Sequence, residues 1–291
     1  MRVMVTGTSG QLGGRLMSLQ SEAEQRGWTL LGCSRADWDL SHPEEVSAVL
    51  DRLQPEAVLH CAAYTAVDDA EDHADLAHQL NATAPAHLAQ ACAQRGIRLV
   101  HISTDYVFDG AAQSPIPADA PTAPIGVYGA SKLAGERAVL EAHPQASILR
   151  VSWLYDRVGR NFFNTMLRLA EDRDVLTVVD DQIGCPTHAG HLALDLLDWL
   201  DLQERHPERT AGVHHYGHAG STTWHGFASA ILARRAPGVE VRPVPTSAFP
   251  TKARRPAYSK LDERPFFEAL GRESVTWEVA LETCLGATFP D

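Results

Sequence analysis

The sequence is short of cysteine, of positive charge and of long apolar runs, and each shortage excludes a class of function. Five cysteines (Cys33, Cys61, Cys92, Cys185 and Cys284) are scattered over 291 residues with no Cys-x-x-Cys pair. That odd number and wide spacing argue against a disulfide framework or a thiolate zinc site, and for free thiols in a reducing cytoplasm. Lys and Arg total 25 against 37 Asp and Glu, a formal net charge of −12. So acidic a chain repels phosphate backbones, and no nucleic-acid partner is expected. The basic patch is short, Lys252 with Arg254 and Arg255. No apolar stretch is long enough to cross a bilayer, and the opening Arg2–Thr6 run is too brief for a signal peptide, so no membrane association is expected. Internal repeats and low-complexity segments are also missing.

What is present is alternation. Hydrophobic residues make up 44 %, enough at this length for a substantial core. Strands are expected at Arg2–Thr6, Trp28–Cys33, Ala57–Cys61, Arg98–Ser103 and Ser147–Val151. Their continuous apolar character suits parallel strands covered on both faces. Between them, Leu12, Leu16, Leu19 and Ala23 share one helical stripe, Pro43 opens another helix, and Ala84, Leu88, Ala91 and Cys92 mark a third. The alternation predicts a doubly wound, Rossmann-like parallel sheet of the α/β class, with its ligand at the carboxyl ends of the strands. Beyond residue 150 the pattern loosens. Helices are expected at Asn161–Glu171, Thr187–Leu202, Trp224–Arg235 and Val275–Leu285, a strand at Val175–Val179, and an irregular stretch at Pro237–Pro265. Residues 1–150 read as a dinucleotide-binding domain, to which about 180–215 return. Residues 151–179 and 216–291 read as a smaller substrate domain.

Gly7-Thr8-Ser9-Gly10-Gln11-Leu12-Gly13 follows the first strand and opens the first helix. Glycines there allow a tight turn, a close approach of backbone to pyrophosphate, and close helix–strand packing, while the unpaired helix amides face the anion. The bland alternative is a glycine turn without a ligand; a nucleoside-triphosphate loop is excluded because no Gly-Lys-Ser/Thr follows. At the end of the second strand an acidic residue would favour NAD and an Arg would favour NADP. The chain has Cys33-Ser34-Arg35-Ala36-Asp37. Ser34 and Arg35 suit a 2′-phosphate and Asp37 sits too far along, so NADPH is expected, with NADH open and Arg35 otherwise a solvated surface charge.

Tyr128-Gly129-Ala130-Ser131-Lys132 carries the chemistry. With Pro124 at the helix start, Tyr128 and Lys132 stand at i and i+4 on one face. A free tyrosine titrates near about 10 and donates poorly at neutral pH; a lysine cation beside it lowers that value. Ser103-Thr104 ends the fourth strand and puts a hydroxyl where the reactive end of the cofactor belongs. Tyr128, Lys132 and Thr104 are the candidate catalytic residues.

With these residues the chain resembles the extended short-chain dehydrogenase/reductase family, and within it the dTDP-4-dehydrorhamnose reductases. The resemblance runs nearly end to end, through Gly7–Gly13, Ala62–Asp68, Ser103–Gly110, Tyr128–Glu136, Arg150–Trp153, Gly159–Phe162, Asp181–Thr187 and Arg255-Pro256. It implies reduction by NAD(P)H of the C4 keto group of dTDP-4-dehydro-L-rhamnose, with Tyr128 as general acid, Lys132 as its electrostatic partner and Thr104 as the carbonyl-binding hydroxyl. It also implies that Gly10, Gln11, Leu12, Asp39, Leu40, Ala63, Tyr64 and Thr65 line the dinucleotide; Ala62 joins them. Thr104, Asp105, Tyr128 and Trp153 would contact the sugar, and Arg255, or equally Arg254, the pyrophosphate. Asp39 reads alternatively as a cap before Pro43, and Trp153 as core filler. Some members bind Mg²⁺ at a subunit contact; the corresponding positions here carry Arg15 and Gly190, so no metal is expected, and a homodimer stays open. His191 stands where an acidic residue is common. His214, His215, His218 and His225 are expected to be hydrogen-bonded histidines at the domain junction. A reductase or epimerase of another nucleotide-linked keto sugar, and a non-catalytic regulatory subunit on the same fold, are the rival readings.

Overall fold

The computed structural model describes residues 1–286, so residues 287–291 of the expected 216–291 segment lie outside it. Five apolar segments of the first half, with one from the second, form a parallel sheet: β1 (Arg2–Thr6), β2 (Thr29–Cys33), β3 (Ala57–His60), β4 (Arg98–Thr104), β5 (Ser147–Val151) and β6 (Gly212–Tyr216). Their spatial order is β6-β5-β4-β3-β1-β2, with every pair parallel. Strand order therefore reverses between β1 and β3, and the crevice outside their carboxyl ends is where such a sheet takes a ligand.

Period-two alternation explains why both faces are covered. Val3, Val5, Leu30, Leu59 and Leu149 enter one core, against the helices Gln11–Met17, Gln20–Gln25 and Ala189–Arg205. Met4, Val58, Leu99 and Ile148 enter the other, against Val46–Leu53, Ala84–Arg95 and Val127–Ala142. Each such buried side chain contributes about 1.5–3 kcal/mol of apolar transfer. A third core gathers Phe163, Met166, Leu176, Val178, Phe227, Ile231, Trp277 and Leu281. It packs on the parallel pair Val175–Val179 and Glu240–Val244.

Several boundaries differ from expectation for local reasons. The stripe Leu12–Ala23 is two helices broken at Ser18, whose hydroxyl donates to the Arg15 carbonyl, although all four apolar residues still share one core. Pro43 opens a 3₁₀ turn, with the α-helix following at Val46. Thr187-His188 is not helical; it pairs with Leu154-Tyr155, and the helix begins at Ala189. The strand Glu240–Val244 lies inside the stretch expected to be irregular. It is mostly exposed and carries Pro243, both compatible with an edge strand that presents little apolar signal.

Candidate active site

The carboxyl ends of the strands open into a cavity of about 790 Å³. Every residue expected to touch cofactor or substrate lines it, from the glycine loop to Trp153, except Arg255 and its alternative Arg254. Gly7 sits at φ +69°, and a Cβ there would meet the Ala62 amide nitrogen at 2.8 Å; a Cβ on Gly13 would lie 2.3 Å from the Gly7 carbonyl oxygen. The loop is thus closed down to backbone thickness, and it leads into the N-terminus of the helix Gln11–Met17. That cradle fits a pyrophosphate.

At the end of β2 the Asp37 carboxylate accepts both the amide and the hydroxyl of Ser34, at 2.9 and 2.7 Å, so the Ser34 hydroxyl is already engaged, while Asp37 itself is not among the residues that line the cavity. Arg35, its side chain 84 % exposed, donates to Asp39 at 3.1 Å. The Ser41 amide and hydroxyl, with Arg35, hold Asp39 down to about 2. Asp39 thus caps the turn before Pro43 and lines the cavity as well.

The helix Val127–Ala142 starts at Val127, not Pro124, because Ala123 N–H is committed to the Val107 carbonyl and Gly126 is extended. Glu71 caps it from outside, accepting from the Val127 amide at 2.9 Å. Tyr128 and Lys132 consequently lie one turn apart in its first two turns, and both face the cavity. Thr104 ends β4, accepts from the Tyr106 amide and donates to Asp105 Oδ1 at 3.1 Å. Tyr106 meets the Tyr128 ring edge-on, 5.4 Å between centroids.

Electrostatics here correct one expectation. Lys132 does not pair with the phenol; its Nζ donates to the Ile102 carbonyl at 2.7 Å and meets His101 Nε2 at 3.3 Å. Burial pushes Tyr128 up to about 12, Thr104 pulling weakly the other way, and burial lowers Lys132 to about 8. Burial sets the direction for the phenol, with the Asp105 charge adding to it, while the lysine ammonium has turned to an inner carbonyl. Burial also raises the Asp105 carboxyl to about 7.

Sequence reasoning missed three supports. Asn81 is fully buried in the π-helical turn Gln79–Thr83 and brackets Tyr64, accepting from its amide at 2.8 Å and donating to its carbonyl at 3.0 Å, while also donating to Ser131 on the Tyr128 helix. A lone asparagine in the run Leu80-Asn81-Ala82 was the available signal. Trp224 stacks on Trp153, 3.6 Å between centroids and 9° between planes, and Trp153 itself holds φ +49°. Arg160 lines the cavity, on a segment tied to the glycine loop by Asn161 Nδ2 donating to Gln11 Oε1 at 2.8 Å.

The remaining candidates lie elsewhere. Arg255 grips Asp68 through both terminal nitrogens' reach, NH1 at 2.9 Å and NH2 at 2.7 Å. Arg15 pairs with Asp156, Gly190 lies against the His188 ring, and no cluster of metal-ligating side chains occurs among the described residues. His214 donates to the Thr210 and Ala211 carbonyls, His215 to that of Ile116, and His225 to that of Val241; His218 Nε2 accepts from the His188 amide. His191 meets the rings of His188 and His218 edge-on. All five cysteines are free thiols, and no described helix is long and apolar enough to cross a membrane.

A family profile described as "RmlD substrate binding domain" matches residues 1–289. A dTDP-4-dehydrorhamnose reductase of Burkholderia thailandensis is 40 % identical, with 98 % of each chain covered. A probable dTDP-4,6-dihydroxy-2-methyloxan-3-one 4-ketoreductase of Streptomyces antibioticus is 43 % identical over 90 % of this chain and 86 % of its own. The crystal structure of a dTDP-4-dehydrorhamnose reductase from Bacillus anthracis in complex with NADP superposes with a TM-score of 0.87 at 36 % identity, covering 98 % of both chains. The chain belongs to the RmlD family, the dTDP-4-dehydrorhamnose reductase branch of the extended short-chain dehydrogenases/reductases.

Proposed function

We propose that this protein is an NADPH-dependent reductase that converts the C4 keto group of dTDP-4-dehydro-L-rhamnose to the alcohol of dTDP-L-rhamnose. One observation carries the reading: the glycine cradle, the Thr104 hydroxyl, the Tyr128 phenol and Lys132 all line one cavity. Gly7–Gly13, Asp39, Leu40 and Ala62–Thr65 would hold the dinucleotide. Arg35 suits a 2′-phosphate, since its exposed pair with Asp39 holds it by no more than about 1 kcal/mol. When bound, the nicotinamide supplies the hydride.

The chain's own residues handle the proton. At about 12 the Tyr128 phenol stays protonated at neutral pH, which is the state a reduction needs. A nascent sugar alkoxide is far more basic than a phenolate, so transfer from the phenol runs downhill once the C4 oxygen gains charge. Thr104 and the carboxyl of Asp105 polarise that oxygen and orient the ring. Trp153, backed by Trp224, offers a flat apolar face to the 6-deoxy side of the sugar. Lys132 keeps a positive charge one helical turn from the phenol, where it offsets the phenolate left behind.

The division of labour belongs to the same proposal. Residues 1–150, with about 180–215, would hold the cofactor, and 151–179 with 216–286 would cover the sugar. A cytoplasmic setting agrees with the free thiols. A homodimer is checked by sedimentation. The deciding experiment is a coupled assay that supplies dTDP-4-dehydro-L-rhamnose and follows oxidation of NADPH and of NADH. Rapid NADPH oxidation with dTDP-L-rhamnose as product is expected; no turnover with either cofactor overturns the reading. Faster turnover of a different dTDP-linked 4-keto sugar would instead favour the ketoreductase role that the Streptomyces relative's name describes.

A further inference from the structure

Deep to the cavity lies a buried polar pair that proton transfer does not otherwise require. His60 of β3 and His101 of β4 are register partners on neighbouring strands. Both are almost completely buried, and their rings stack with centroids 5.2 Å and planes 22° apart.

Their tautomers follow from their partners. Thr6 Oγ1 accepts the amides of Cys61 and Ala62, each at 3.1 Å, so its own proton is directed to His60 Nδ1 at 2.8 Å. His60 therefore carries its ring proton on Nε2. An ammonium can only donate, so Lys132 Nζ donates to His101 Nε2, and His101 keeps its proton on Nδ1. Both ring N–H groups, His60 Nε2 and His101 Nδ1, lack a partner among the described residues. Apolar side chains at these strand positions would pack without that loss, so packing alone gives no reason for two imidazoles here.

We propose that His101, braced by the His60 ring, is a positioning residue for Lys132: its Nε2 accepts one ammonium proton and, with the Ile102 carbonyl, keeps the charged head at the inner end of the cavity. The inference rests on Tyr128 and Lys132 being the proton-transfer pair. Few other ionisable groups act on that head. Cys61 approaches from the loop after β3, while Glu136 lies one turn along the same helix and is paired with Arg150. Both rings stay neutral, lowered by burial first and by Lys132 second. A neutral acceptor stabilises the ammonium without cancelling its charge. A carboxylate in the same place would cancel it.

The test exploits composition. The chain has three lysines, Lys132, Lys252 and Lys260. The protein, labelled with ε-¹³C lysine and free of substrate, is titrated by NMR, with Lys132→Met assigning the signal. Replacing His101 by Leu removes an acceptor from a buried cation, so the Lys132 midpoint should fall by about one to two pH units. His101→Gln restores an oxygen acceptor and should stay near the parent value. The alkaline limb of kcat for NADPH-dependent reduction should move with the NMR midpoint in both variants. Should His101→Leu not fold, His101→Met takes its place. A midpoint unmoved or raised in the apolar variant, or lowered equally by Gln, overturns the proposal; so does a loss of Tm without any shift of the midpoint. A parent protein that binds NADPH yet reduces no sugar nucleotide would overturn the proposed function alone, because the lysine titration is read without substrate.

Discussion

At the scale of single residues, the chemistry turns on how burial divides protons. Tyr128 and Asp105 both line the cavity, and burial moves both toward their neutral forms, to about 12 and about 7. Tyr128→Phe removes the transferable proton and leaves the ring. Turnover should fall by about 10²–10⁴-fold, while NADPH binding, followed by fluorescence titration, stays near the parent's. Asp105 makes a stability statement as well. Its folded pKa lies above the unfolded value of about 3.9, so the folded state holds a proton that the unfolded chain releases. Stability is therefore full below about pH 4 and is lost progressively as pH rises toward 7. Asp105→Asn removes that dependence. Urea melts should find the variant more stable than the parent by about 2–4 kcal/mol at pH 8, with the difference closing near pH 4, while sugar binding weakens. Tyr128, Lys132 and Thr104 were legible as candidates from residue type and order, whereas Asp105 came only with the family resemblance. Where Lys132 aims its ammonium was not, because its partners His101 and Ile102 come from a strand about thirty residues away in sequence and are set by packing.

At the scale of elements, the site depends on supports that carry no chemistry themselves. Asn81 joins the Tyr64 backbone to the helix of Tyr128 from within a π turn, a geometry often found at functional sites. Asn81→Ala leaves the half-buried Tyr64 amide and carbonyl without their partner. It should cost about 2–3 kcal/mol of stability and raise KM for NADPH more than it lowers kcat, which steady-state kinetics with a parallel denaturant melt would resolve. Strands were readable from continuous apolar runs of five or so residues, which leave few alternatives; Ser147–Val151, buried on both faces, and Val175–Val179, with one face exposed, emerge with the expected bounds. Helix starts were less readable. Val127 begins its helix because Glu71, from a distant segment, supplies the cap, and Ala189 begins another because Thr187-His188 is claimed by Leu154-Tyr155. The strand Glu240–Val244 is mostly exposed and touches the third core through Val241, too short an apolar signal to announce it.

At the scale of the whole molecule, one buried ion pair joins the pieces. Arg150 of β5 donates to both oxygens of Glu136 at 2.9 and 2.7 Å, reaches the Ala118 carbonyl, and meets His215 of β6; Ser103 of β4 donates to the same Glu136. Glu136→Gln would strand a buried guanidinium, and a loss of about 3–5 kcal/mol in urea unfolding is expected. Arg255 and Lys252 hold Asp68 and Asp72, so the late loop is tied to the segment around an early helix, and the Arg255 expected at the pyrophosphate is committed to Asp68.

By itself the sequence determined the α/β class, the parallel sheet and the glycine loop, and it named the candidate proton-transfer residues, because each depends on contacts within a few residues or on an apolar period. Only the tertiary structure decided the company those residues keep: Asp37 on Ser34, Arg255 on Asp68, Lys132 on His101, Trp224 on Trp153. Such pairings join segments that burial brings together from far apart in the chain, and no local spacing encodes them.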